Sequence, residues 1–191
     1  MAENMVLSFD GTKLFVNKEV DMDCRAVCVI VHGLCEHQGR YDYLAEKMHE
    51  MGFGTYRFDH RGHGRSEGER TYYDDFNQLL DDVNVVVDMA VSENSALPVF
   101  LLGHSMGGFA VALYGAKYPN KNLRGIITSG WFPACPKGWS RTRSCRMSWG
   151  REYALFRRSW IGTARIRTIL KHLPQAYAMP SVTVWRGSKL Q

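Results

Sequence analysis

The stretch LLGHSMGGFA, residues 101–110, limits the possible folds of this 191-residue chain more than any other feature. The apolar run LPVFLLG leads into it and has the length of a buried strand, while helical spacing of apolar residues runs from Ser105 to a stop at Pro119. A G-x-S-x-G pattern between a strand and a helix is typical of a sharp turn that exposes the serine hydroxyl. The sequence therefore predicts Ser105 as a nucleophile on a strand-to-helix turn.

Strands and helices alternate along the chain up to residue 130. An Asp10-Gly11 turn between two alternating runs predicts a hairpin, and RAVCVIVHG predicts a strand buried on both faces. Helices are expected at about 41–51 and 74–93, with further strands at TYRFD and LRGIITSG. This order predicts an α/β fold with a mainly parallel sheet.

Charge divides the chain near residue 130. Residues 1–130 hold 12 Lys+Arg and 18 Asp+Glu, whereas residues 131–191 hold 12 and 1, so the net charge of +5 conceals an acidic part and a basic part. All five tryptophans lie in the basic part. We therefore expect a core, residues 1–130, and an irregular Trp/Arg-rich tail, residues 131–191, in which SVTVW could form a short strand.

Two backbone N–H groups are candidates to bind an oxyanion beside Ser105. The helix that starts there directs its free N–H groups and its positive dipole end at this point, so the N–H of Met106 is the expected first donor. A second donor must come from another loop. His32-Gly33-Leu34 follows a buried strand, and its glycine allows the chain to turn back, so we expect the N–H of Leu34 to be that donor.

Three motifs in this order, VIVHGLCEHQGRYDYLAEKM, YRFDHRGHGRSEGER and FLLGHSMGG, resemble the monoacylglycerol lipase and lysophospholipase-like family of α/β-hydrolases, grouped with the serine aminopeptidase-like hydrolases. The resemblance covers residues 5–130. It implies the N-terminal part of an α/β-hydrolase fold, with Ser105 as nucleophile and Leu34 and Met106 at the oxyanion hole. It also implies a serine ester hydrolase that cleaves esters of single acyl chains, of the monoacylglycerol or lysophospholipid type, through an acyl-serine.

Other polar residues in these motifs have structural interpretations. Both His32 and His37 precede the serine, whereas the fold takes its base from after it, so we interpret them as hydrogen-bonded loop residues. The side chain of His104 should point away from that of Ser105, which favours packing. A glycine-rich loop is expected to be fixed by Asp59, Arg61 and Ser66.

The acid and base of a triad are not identifiable in the sequence. Chain order requires an acid and then a histidine after the serine, but the last aspartate is Asp88, and only Glu152 and His172 follow in that order. Both are weak candidates because no strand precedes Glu152 and His172 has the pattern of a helix end. We therefore expect this form to be impaired; the alternative is a catalytically silent protein that binds acyl groups or an anionic surface.

Three explanations of residues 131–191 stay open. They are a genuine basic module that binds an anionic membrane surface or nucleic acid, a natural truncation, and a shift of the reading frame near residues 131–140. The abrupt change in composition, at the point where the acid and base are lost, favours the frame shift. Either of the last two would leave one edge of the strand RGIIT unpaired.

Composition also suggests the partners and location of the protein. Five cysteines without metal-ligand spacing predict no metal and no disulfide framework, with Cys28 as a buried thiol. We expect no cofactor, a small acyl-ester substrate, peripheral contact with a lipid surface as an open option, and no nucleic-acid partner. The first residues do not have the pattern of a secretion signal, so a cytoplasmic location is the expectation.

Overall fold

A seven-stranded sheet with helices on both faces organises the chain in the computed structural model, which describes residues 5–118 and 122–130 and the backbone of 182–186. The strand order is β1-β2-β4-β3-β5-β6-β7. The elements in chain order are β1 (Met5–Leu7), β2 (Lys13–Glu19), β3 (Ala26–Val31), a 3-10 helix (Gln38–Tyr41), α1 (Asp42–Glu50), β4 (Phe53–Phe58), α2 (Phe76–Glu93), β5 (Val99–His104), α3 (Met106–Lys117), β6 (Leu123–Ser129) and β7 (Val182–Arg186).

The centre of the sheet is parallel, as the sequence predicts. Strand β3 lies between β4 and β5 and runs parallel to both, and β6 runs parallel to β5. All six residues of β3 are buried, because a strand covered on both faces needs apolar side chains at every position. The predicted hairpin is also present, and β2 joins it to the sheet by antiparallel pairing with β4.

The prediction of an unpaired edge at β6 is wrong. Strand β7, expected from SVTVW, pairs antiparallel with β6 from Gly125↔Arg186 to Ser129↔Val182. The backbone N–H and C=O groups at a sheet edge can form hydrogen bonds with any strand that reaches them. The five residues of β7, more than 50 positions further along the chain, therefore cover Gly125–Ser129 of β6.

The side chains of β3 alternate between two apolar layers. Val27, Val29 and Val31 pack in the larger layer with residues from β4, α2 and α3. Cys28 and Ile30 face the opposite layer, against α1. The sheet is thus covered on both sides, and Cys28 is the buried thiol that the sequence predicts.

Helices α2 and α3 begin within two residues of their predicted starts at about residue 74 and at Ser105. The carboxylate of Asp75 accepts a hydrogen bond from the N–H of Asn77 at 2.7 Å, so Asp75 is the cap of α2 and the helix starts one residue later. Helix α3 is buried from Met106 to Tyr114, which places its first turn in the core at the end of β5.

Candidate active site

Ser105 lies alone between β5 and α3 in a strained backbone conformation. Its φ is +53° and its ψ is −116°, a region that costs a residue other than glycine about 1–3 kcal/mol. Its N–H donates to the carbonyl of Ser129 at 2.8 Å, and its own carbonyl accepts from the N–H of Phe109 at 3.0 Å. These two bonds hold the turn, and the side chain of Ser105 is exposed.

The two glycines of G-x-S-x-G allow three backbones to meet. A Cβ at Gly103 would collide with the carbonyl of Gly107. A Cβ at Gly107 would collide with the carbonyls of Val31 and His32 at the end of β3. Because backbone atoms cannot move aside as a side chain can, helix α3 can pack this closely against β3 and β5 only with glycine at both positions.

The loop after β3, residues 32–36, lies against the serine and is called the β3 loop below. A Cβ on Gly33 would be 3.1 Å from the Cβ of Ser105. Leu34 follows with 44% of its surface exposed, and Cys35 has a φ of +58°. Met106 occupies the first position of α3, so the structure brings the neighbourhoods of both predicted N–H donors to Ser105.

Glu36 was not singled out from the sequence, yet it organises the β3 loop. Its Oε1 accepts from the N–H of Gly33 and from the hydroxyl of Tyr41 at 2.8 Å, and its Oε2 pairs with Arg40. Burial opposes its ionisation, but the hydrogen bonds from Gly33 and Tyr41 and the charge of Arg40 outweigh burial and lower the pKa of Glu36. The one available signal was a carboxylate three residues after a loop glycine.

His32 and His60 form a buried reciprocal pair at the ends of β3 and β4. The N–H of His60 donates to Nε2 of His32 at 3.0 Å, so the proton of His32 is on Nδ1, which donates to the carbonyl of Gly33 at 2.7 Å. Nε2 of His60 donates in turn to the carbonyl of His32 at 2.8 Å. Burial lowers the pKa of His32 to about 4 and that of His60 well below its ordinary value, so both rings are neutral.

The structure confirms the other structural interpretations. The ring of His37 accepts a hydrogen bond from the N–H of Gly39 at 3.2 Å, so His37 is the N-cap of the 3-10 helix. Nδ1 of His104 lies 3.4 Å from Oγ of Ser129, and its ring packs against Gly130. His104 therefore has packing partners in and just after β6.

The glycine-rich loop after β4 is fixed by the three predicted side chains. Asp59 accepts from the N–H groups of Gln38 at 2.7 Å and of Arg65 at 2.9 Å. Ser66 donates to the carbonyl of Asp59 at 2.5 Å. Arg61 is bound through two nitrogens, each at 2.7 Å, to the fully buried carboxylate of Asp82 in α2.

Several sequence-based expectations lie outside the described residues. Glu152 and His172, the weak candidates for acid and base, both lie in the part of the chain that is not described.

Within the part that the structure describes, no group of three or more His, Cys, Asp or Glu side chains could hold a metal ion. In that same part, no helix combines the length and the apolar composition needed to cross a bilayer.

Comparison with known proteins finds similar hydrolases over more than half of the chain. The family model described as "Serine aminopeptidase, S33" matches residues 22–167. Monoacylglycerol lipase of Mycolicibacterium smegmatis is 44% identical over 110 residues, which make up 58% of this chain and 39% of that protein. Monoglyceride lipase of Homo sapiens is 43% identical over 113 residues, or 59% of this chain and 37% of that protein. The chain thus spans about two-fifths of the length of these curated relatives.

Solved structures give the same result. Monoacylglycerol lipase of Paleococcus ferrophilus superposes with a TM-score of 0.52 at 35% identity. The match covers 61% of this chain and 42% of the lipase. A soluble variant of monoglyceride lipase from Saccharomyces cerevisiae, in complex with a substrate analog, has a TM-score of 0.61 at 26% identity, with 67% and 44% covered. These similarities confirm the predicted resemblance and the incomplete α/β-hydrolase fold.

Proposed function

This chain belongs to the serine aminopeptidase S33 family of hydrolases, and on that premise we propose that it is a serine hydrolase of carboxylic esters with single acyl chains. The observation that carries the proposal is the backbone of Ser105, which is strained at the entry to α3 with Gly33 packed against it. The similar lipases act on monoacylglycerols by name, so we propose the monoacylglycerol or lysophospholipid type as the substrate class.

The proposed reaction has two steps at one serine. Oγ of Ser105 attacks the ester carbonyl, and the N–H groups of Leu34 and Met106 bind the oxyanion that forms. The bond from the carbonyl carbon to the alcohol oxygen then breaks, the alcohol leaves with a proton, and an acyl-serine remains. Water hydrolyses this ester, which releases the fatty acid and restores the serine.

We propose that the 191-residue form is impaired in the proton transfers of both steps. A serine hydroxyl needs a base to take its proton, and losing one triad member costs several orders of magnitude in rate. Only Glu152 and His172 follow Ser105 in the required order, and they stay weak candidates. The coding DNA tests the cause: a one-base shift near codon 135 that opens a frame with a later aspartate and histidine would identify the tail as an artefact.

A second candidate function is a catalytically silent protein that binds acyl groups or an anionic surface. It is favoured by the charge of residues 131–191, which hold 12 Lys+Arg and one acid. Contact with a lipid surface belongs to this candidate, because basic side chains with interleaved aromatics suit anionic headgroups. The cytoplasmic location expected from the sequence stays a prediction.

A fluorophosphonate probe separates the two functions. Because the proposed hydrolase is impaired, labelling should be slow and needs high probe concentration and long incubation. Ser105→Ala should abolish it, and Ser92→Ala, which removes an exposed serine of α2, should not. Hydrolysis of a monoacylglycerol should fall together with labelling. Labelling that survives Ser105→Ala would overturn the role of Ser105, and a folded but unlabelled chain that binds an ether analogue of a monoacylglycerol would support the silent binder.

A further inference from the structure

We propose that Glu36 is a positioning residue, which fixes the peptide between Gly33 and Leu34 so that the N–H of Leu34 faces the reacting carbonyl at Ser105. The inference rests on the proposed function, since it assigns a role to the oxyanion donor of that reaction. It is carried by the hydrogen bonds of the β3 loop and by the contact of Gly33 with Ser105.

Gly33 is clamped on both of its peptide groups. Its N–H donates to Oε1 of Glu36, and its carbonyl accepts from Nδ1–H of His32 at 2.7 Å. Together these bonds fix the φ and ψ angles of a residue that has no side chain to restrict them. In a trans peptide the C=O of one residue and the N–H of the next point in opposite directions, so the clamp also sets the direction of the Leu34 N–H.

The carboxylate is itself held tightly in place. Only 6% of the Glu36 side chain is exposed, and besides Gly33 it contacts the hydroxyl of Tyr41 and the guanidinium of Arg40. Its Oε1 lies 2.9 Å from where a Cβ of Gly33 would be, while the Cβ of Ser105 lies 3.1 Å from the same point. Glu36 and Ser105 therefore confine Gly33 from two directions, and Arg40 offsets the negative charge that Glu36 would otherwise place near an oxyanion.

Two readouts test the positioning role in the full chain. Amide hydrogen exchange measured by NMR should accelerate about tenfold or more at Gly33 in Glu36→Ala, because a buried N–H loses a charged acceptor. Glu36→Gln keeps one carbonyl oxygen for the Gly33 N–H and should restore most of the protection. The matched control Glu50→Ala removes an exposed carboxylate of α1 that pairs with Lys47 and should leave the exchange of Gly33 unchanged.

Fluorophosphonate labelling of Ser105 supplies the second readout. Its rate should fall strongly in Glu36→Ala, less in Glu36→Gln and not in Glu50→Ala. Parent-like exchange at Gly33 in Glu36→Ala would overturn the proposal. If Glu36→Ala unfolds as a whole, seen as faster exchange at Val29 in the centre of β3, Glu36→Gln decides: protection of Gly33 supports the role, and its loss in a folded variant overturns it. A parent chain that shows the expected exchange pattern but is never labelled would reject the proposed function alone.

Discussion

The buried pair of His32 and His60 predicts that the folded state weakens as pH falls below neutrality. Burial lowers the pKa of His32 from 6.5 to about 4, so between these values the unfolded chain binds a proton that the native protein excludes. The stabilisation from the neutral ring is complete above pH 6.5 and is lost as the pH falls toward 4. From pH 6.5 to 5 the loss is about 1.6 kcal/mol out of a total stability of about 5–15 kcal/mol, because the unfolded ring is half protonated at pH 6.5 and the full slope of about 1.36 kcal/mol per pH unit is reached only below it. His60 acts in the same direction.

Urea unfolding followed by far-ultraviolet circular dichroism measures this loss. The window from pH 6.5 to 5 is chosen because most carboxyl groups of an unfolded chain titrate below it. His32→Gln cannot take up the proton and should flatten the dependence by about 1.6 kcal/mol across the window. His37→Gln changes an exposed ring on the segment that follows the β3 loop and should keep the slope of the parent. A parent stability that stays constant over the window would refute the reasoning, as would a full slope in His32→Gln.

Further predictions concern the buried ion pair of Arg61 with Asp82 and the glycines of helix α3. Asp82→Ala leaves Arg61 without its buried partner and should lower the free energy of unfolding by about 3–5 kcal/mol, measured in urea. Asp81→Ala removes a partly exposed pair of the same helix and should cost about 1 kcal/mol or less; an equal loss in both would contradict the argument. Gly107→Ala pushes a methyl group into the backbone carbonyls of Val31 and His32 and should abolish labelling of Ser105. Gly115→Ala in the same helix meets only the tip of one side chain, so its labelling should match the parent.

Local patterns predicted the elements that carry Ser105. Continuous apolarity identified β3 as a central strand, and the spacing of glycines around Ser105 identified its turn, because each depends on residues adjacent in sequence. The role of Glu36 could not be predicted in this way. Its bond to the N–H of Gly33 exists because the β3 loop folds back on itself, and neither helical nor strand periodicity encodes that path.

The pairing of β7 shows the second limit. SVTVW has the composition of a strand, but nothing within it states its neighbour or its direction. Those depend on where the chain returns to the sheet, so the sequence could not predict that Val182–Arg186 would run antiparallel to β6. The same limit applies to Glu152 and His172, whose distance from Ser105 is not a property of any short pattern.

The bond from the N–H of Ser105 to the carbonyl of Ser129 determines where a hydrolase of this kind could be divided. Both backbone hydrogen bonds described for the serine, and its contact with Gly33, are made by residues that precede residue 131. The described bonds of the serine turn thus lie within the first 130 residues. A fragment that ended at residue 130 would keep these bonds but would lose β7 and expose the edge of β6 that carries Ser129, so a complementing fragment would have to supply that strand.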